Sequence, residues 1–252
     1  MPPPKLPARF APKDKILLAA PLFEGVPAPL VAALAAGAER LVLGRGDTLW
    51  MAGDSPGAFH IVAYGAVKLQ CVRPGNPLIL AFFLPGESIA DAMVVARAAM
   101  PASAVVQSAV GEILRLPAEA LLSAERREPT LAAALRACVA RQVRWLHTKI
   151  EIVTMATVEA RLATFILRTV ERASRSRSGP IELDFAPTRV ELASMVEARA
   201  ETITRALGKL ARENVCTIRK DSMIVHDYDG LRRRIPNSDG SVPAPPHRPR
   251  LR

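Results

Sequence analysis

Two periodicities divide this chain. Over residues 41–116, short runs rich in Val, Ile, Leu and Phe alternate with turn residues at Gly46-Asp47, Gly53-Asp54, Gly65, Pro74-Gly75-Asn76 and Pro85-Gly86, every seven to twelve positions. That spacing predicts short antiparallel strands closed into a sandwich or roll. Within one strand Val67, Leu69 and Cys71 point one way and Lys68, Gln70 and Val72 the other, as in a half-buried sheet. Ahead of it, residues 26–37 read as a short helix of small apolar residues and residues 1–20 as a tail.

From Pro129 the period becomes helical. Leu135, Val139, Val143, Leu146, Ile150 and Val153 step by threes and fours along one seam of a long helix. Such a seam suits either an ordinary core helix or a helix that pairs with its own copy across a two-fold axis, and we expect the second. A break at residues 154–157 and an amphipathic helix over 158–170 follow, then a polar loop, RASRSRSG, at 172–179. The stretch 236–252, rich in proline and basic residues, is expected to be disordered. The predicted class is α+β: a roll over 21–128, a dimerisation helix over 129–156, and a helical domain with a β-hairpin over 157–235.

The most informative stretch is residues 188–210, TRVELASMVEARAETITRALGKL. Thr188 and Glu191 have capping-box spacing, so a helix starts there. A turn at residues 197–199 leads to a second helix whose Ile203, Leu207 and Leu210 point inward. Its outer stripe is Ala200, Glu201, Thr204, Arg205, Gly208 and Arg212, small and polar as a major-groove reader requires. An ordinary helical hairpin with solvated charges has the same periodicity. Two short apolar runs at 214–218 and 223–225 around Arg219-Lys220-Asp221 then read as a two-stranded wing.

Composition narrows the class. The 252 residues carry a formal charge of +10, which favours a polyanionic partner, yet residues 189–235 hold ten Lys or Arg against seven Asp or Glu, so geometry must carry that argument. No apolar run approaches the roughly 20 residues of a membrane span, and the first residues lack a signal-peptide core, so a cytoplasmic protein without membrane partners is expected. Cys71, Cys138 and Cys216 have neither disulfide nor zinc spacing. A nucleophile elbow, a P-loop and a catalytic His-Asp set are all missing, so the chain is not expected to be an enzyme.

Residues 188–231 resemble the winged helix-turn-helix of the Crp/Fnr superfamily, with T-R-x-E-L-A followed by E-T-x-x-R-x-L-x-x-L. Leu22-Phe23, Gly46-Asp47-Thr48-Leu49, Gly53-Asp54, Gly65-Ala66-Val67-Lys68-Leu69 and Pro85-Gly86-Glu87 are similar to that family's β-roll punctuation, so the likeness covers roughly residues 20–235. It implies a homodimeric transcription regulator that binds double-stranded DNA, contacts RNA polymerase when it activates, and reads TTGAT-like half-sites. Glu201, Thr204 and Arg205 are then the base-contacting residues, with Thr188, Arg189, Ala200, Lys209 and Arg212 beside them on the DNA. A ligand-gated module working through protein partners is the competing class. Two departures stand out: Glu197 replaces the usual turn glycine and Arg199 the usual Ser or Thr cap, each costing roughly 1 kcal/mol.

For the effector, the resemblance places a pocket at Gly86, Glu87 and Ser103. Met100-Pro101-Ala102-Ser103 lacks the arginine of cyclic-AMP binders, and no cysteine precedes Cys71 to hold an iron–sulfur cluster. Ile89-Ala90-Asp91-Ala92-Met93 and Leu146-His147 are closest in pattern to the denitrification branch, which senses nitric oxide through haem. That likeness makes His60 and His147 candidate haem ligands, with a proline of the Met1-Pro2-Pro3 terminus as a further one. A strand histidine satisfied by a neighbour, for His60, and a helix-surface residue, for His147, are the alternatives.

Overall fold

A computed structural model gives residues 10–73, 77–174 and 179–236. The Pro74-Gly75-Asn76 turn, Met1-Pro2-Pro3, residues 175–178 of the serine-rich loop and the tail from residue 237 lie outside the described residues. The chain divides into two compact units, residues 1–148 with 184–187, and residues 149–183 with 188–252.

In the first unit, period-two alternation becomes two four-stranded antiparallel sheets. One has the order β1 (Glu39–Gly44), β8 (Val110–Pro117), β3 (Ala58–Tyr64), β6 (Ser88–Ile89), and the other β2 (Thr48–Trp50), β7 (Ser103–Val106), β4 (Val67–Cys71), β5 (Leu78–Phe83). Phe59, Ile61, Val67, Ile89, Ile113 and Leu114 are fully buried between and behind the sheets. Gly65 turns β3 into β4 at φ 79°, and a Cβ there would collide with the Ser108 hydroxyl and the Val110 carbonyl, so only glycine fits.

The amino-terminal segment differs from the expected tail. Lys13–Ala19 forms helix α1, and its Ile16 and Leu17 are buried in the core beside α2 (Ala28–Ala36). Polar anchors hold it: the Lys13 ammonium donates to the Ala38 carbonyl at 2.6 Å, and the Phe10 amide donates to Glu112 at 2.9 Å. Glu112 is 1% exposed and also pairs with the Arg40 guanidinium, which reaches the Ala11 carbonyl.

Two short helices, α3 (Asp91–Ala96) and α4 (Ala118–Glu125), precede the 26-residue helix α5 (Pro129–Thr154). Its first turns bury Leu131, Ala134, Leu135 and Cys138 in the core. Further along, the same seam leaves Val143, Leu146 and Ile150 46%, 56% and 60% exposed. The helix ends where Thr154 Oγ1 donates back to the Ile150 and Glu151 carbonyls, and Thr157 caps α6 (Val158–Ala173) by accepting from the Ala160 amide.

The second unit packs α6 against α7 (Arg189–Val196), α8 (Ala200–Arg212) and α9 (Tyr228–Arg232). Its sheet has three strands in the order β10 (Cys216–Ile218), β11 (Met223–Val225), β9 (Ile181–Leu183). The wing's two strands stand where expected; β9 is the addition, three residues too short to show a period.

Candidate DNA-reading helix and sensor cavity

Thr188 and Glu191 complete the capping box: the Glu191 amide donates to Thr188 Oγ1 at 3.2 Å and the Thr188 amide to Glu191 Oε2 at 2.8 Å. Helix α7 stops because Glu197 turns left-handed at φ 50° and ψ 63°, a conformation glycine adopts more cheaply. Arg199 stands at the α8 N-cap without a side-chain capping bond. Compensation comes from Arg161 on α6, whose guanidinium donates to the Met155, Val196 and Glu197 carbonyls. A cation thus satisfies the orphan acceptors at the carboxy end of α7 and fixes the turn.

With the turn fixed, Ile203, Leu207 and Leu210 face the interior, all under one-tenth exposed. Glu201, Thr204, Arg205, Gly208, Lys209 and Arg212 are exposed and Ala200 is half-buried, while Thr188 and Arg189 are exposed at the start of α7. The side chains of Glu201 and Arg205 have no hydrogen bond or ion pair among the described residues. Thr204 Oγ1 donates to the Ala200 carbonyl at 2.9 Å, leaving its methyl free to face outward. Lys209 is different: its ammonium pairs with Glu159 at 2.9 Å, so it must exchange that partner to meet a phosphate. Gly208 adds a telling detail, because a Cβ there would meet nothing within 4 Å. The fold does not need that glycine, although a mid-helix glycine costs about 1 kcal/mol against alanine.

The residues expected to form the effector pocket stand on different sheets of the roll. Glu87 accepts from the Leu84 amide at 2.8 Å in the turn that Gly86 closes before β6, whereas Ser103 opens β7 in the other sheet and accepts from the Ala52 amide at 3.0 Å. The carboxylate serves a local turn, and the hydroxyl ties the start of β7 to the segment that follows β2. A cavity of about 320 Å³ lies elsewhere in the roll, lined by Leu49, Trp50, Asp54, His60, Met100 and Arg115 with backbone around Gly57, and holds none of the three.

His60 and His147 have different surroundings. His147 is exposed on α5. His60 is 7% exposed, its ring 4.8 Å from that of Trp50, and burial together with Arg115 drives its imidazole down to about 4 against a backbone hydrogen bond with Ala58, so it is neutral. Its Nδ1 has no hydrogen-bond partner among the described residues. Haem does not fit here: the cavity beside His60 is small and carries Asp54 and Arg115, where a porphyrin needs an extended apolar slot.

A second buried polar cluster escaped the sequence reading. Asp91, at the start of α3, is wholly buried; Ser88 Oγ donates to its Oδ2 at 2.5 Å and Gln142 Nε2 of α5 at 3.2 Å. Burial pushes its carboxyl up to about 6 against the pull of Ser88 and Arg141. Only its place within I-A-D-A-M marked it, as part of a family pattern and not as a polar contact to a helix fifty residues on.

A roll of two antiparallel sheets, a long helix and a winged helix-turn-helix define a DNA-binding regulator. Residues 40–128 match the cyclic nucleotide-binding domain family and residues 160–234 the Crp-like helix-turn-helix domain. The chain belongs to the Crp/Fnr family of transcription regulators. The CRP-like cAMP-activated global transcriptional regulator of Mycobacterium tuberculosis is 24% identical over 88% of this chain and 99% of its own. The cyclic AMP receptor protein of Thermus thermophilus is 29% identical over 77% of this chain and 87% of its own. FixK2 from Bradyrhizobium japonicum shares the fold with a TM-score of 0.67 at 18% identity, over 82% of this chain and 99% of that one. No helix among the described residues is long and apolar enough to cross a membrane.

Proposed function

We propose that this regulator works as an effector-controlled homodimer that reads a two-fold symmetric operator with TTGAT-like half-sites, and that it touches RNA polymerase when it activates. The outer face of α8 carries the reading. Glu201 can accept from a cytosine amino group, Arg205 can grip guanine O6 and N7, and the Thr204 methyl can meet a thymine. Gly208, which the fold leaves uncrowded, lets that face approach the groove. Dimerisation is supported by Val143, Leu146 and Ile150, three large apolar residues left exposed along one stripe of α5.

The test is fluorescence anisotropy on a duplex carrying inverted TTGAT half-sites against a scrambled duplex. Two chains should bind per duplex, and affinity should fall steeply as salt rises from about 50 to 200 mM. Leu146→Glu with Ile150→Glu should give a monomer by light scattering at micromolar concentration and lose tight operator binding. Equal affinity for both duplexes would overturn the operator reading and favour a module acting through protein partners; a wild-type monomer would overturn the dimer.

A further inference from the structure

We infer that the cavity between Trp50, His60 and Arg115 is a binding site for a small carboxylate with an apolar body; that it serves as the effector site rests on the sensor reading above. Its volume of about 320 Å³ is at the lower end of the range of small-molecule sites. Its walls are fixed before any ligand arrives. The Met51 amide donates to Asp54 Oδ2 at 2.8 Å, the Gly53 amide to the Met100 carbonyl at 2.8 Å, the Met100 amide to the Asp54 carbonyl at 2.9 Å, and Trp50 Nε1 to the Ala102 carbonyl at 3.0 Å.

The ligand's head is specified by two groups. His60 keeps Nδ1 unpartnered although the residue is 93% buried, and leaving a buried polar atom unsatisfied costs roughly 1–3 kcal/mol. An apolar side chain would fill the same position at no such cost, so the ring is better explained by a partner that comes from outside. Arg115 lies opposite His60 in the β3–β8 register and therefore on the same face of the sheet. Its guanidinium, 44% exposed, meets only Glu39, at 3.4 Å, among the described residues, a solvent-screened pair that yields readily to a better acceptor. The planar fork of arginine suits a carboxylate, and the neutral imidazole, in the tautomer that carries its proton on Nδ1, can donate to the same head.

The rest of the lining restricts the body. Trp50, Leu49 and Met100 supply apolar wall. Asp54 offsets the charge of Arg115, so with His60 neutral the lining has no formal charge and disfavours a ligand with two negative charges.

Benzoate and hexanoate are the probes, with benzyl alcohol and inorganic phosphate as controls. Trp145→Phe leaves Trp50 as the one tryptophan of the chain, and its fluorescence reports occupancy, checked by calorimetry. We expect saturable binding of a carboxylate at one site per chain, about tenfold or more weaker in Arg115→Gln and in His60→Phe, and unchanged in Arg126→Gln, an exposed residue at the end of α4. Should Arg115→Gln fail to fold, Arg115→Lys keeps the charge and removes the fork. No saturation by either acid, equal binding of benzyl alcohol, or indifference to Arg115 would overturn the site. Operator affinity measured with and without the bound acid tests the sensor reading separately: a filled site with unchanged DNA binding would refute effector control and leave the site standing.

Discussion

Arg40 and Arg205 present the same guanidinium to opposite surroundings. Arg40 is 23% exposed and committed to Glu112, a carboxylate hidden in the roll that also receives the Phe10 amide. Arg205 stands exposed on α8 with no partner among the described residues. A polar group satisfied by the fold is spent on the fold, and its loss registers as stability. One left unsatisfied at a surface is available to a ligand, and its loss registers as affinity.

The strongest challenge to that division is Arg40→Ala. Removing the cation leaves Glu112 buried with one amide, and breaking a buried pair from one side costs about 3–5 kcal/mol. Urea unfolding should show that loss, while the folded fraction binds the operator with unchanged affinity; altered operator affinity would erase the distinction between the two arginines.

Asp91 sharpens the buried side. Its folded carboxyl titrates at about 6, above the free value of 3.8, so the folded state holds the proton more tightly. Its contribution to stability is complete below about pH 4, declines as pH rises through 6, and has fallen by about 3 kcal/mol above that. Asp91→Asn should flatten this window, seen as a smaller difference between unfolding free energies at pH 4 and pH 7.5 than in the wild type. An identical pH profile in both would show that burial does not govern this carboxyl.

The contrast also explains what the bare sequence reveals. Glu201, Thr204, Arg205 and Gly208 lie within eight positions, and one helical period suffices to put them on one face. The stop of α7 at a non-glycine residue was equally visible, but its remedy was not, since Arg161 comes from another helix 36 positions away from Glu197. The cavity is harder still. Strand alternation tells which way His60 points, yet its meeting with Arg115 depends on the β3–β8 register and that with Trp50 of β2 on how two sheets close on each other. Helix α1 was masked by the proline-rich residues before it, although Ile16 and Leu17 carried an adequate apolar signal.

On the exposed side, Arg205→Ala should lower operator affinity by roughly 1–3 kcal/mol and relax the preference at one base pair, with the melting temperature unchanged. Anisotropy against single-base operator variants checks both halves. Uniform weakening across all variants would demote Arg205 to a phosphate contact.

The smallest effect is the most discriminating, because it should carry opposite signs in the two measurements. Gly208 lies inside α8, where alanine is favoured by about 1 kcal/mol, and the space its Cβ would enter is open in the free protein. Gly208→Ala should therefore raise unfolding stability by up to that amount. If α8 enters the major groove on this face, the added methyl meets the duplex and operator binding weakens. A hairpin whose outer face were only solvated would gain the stability and lose nothing, so a variant both more stable and equally tight on DNA would show that Gly208 does not face the groove.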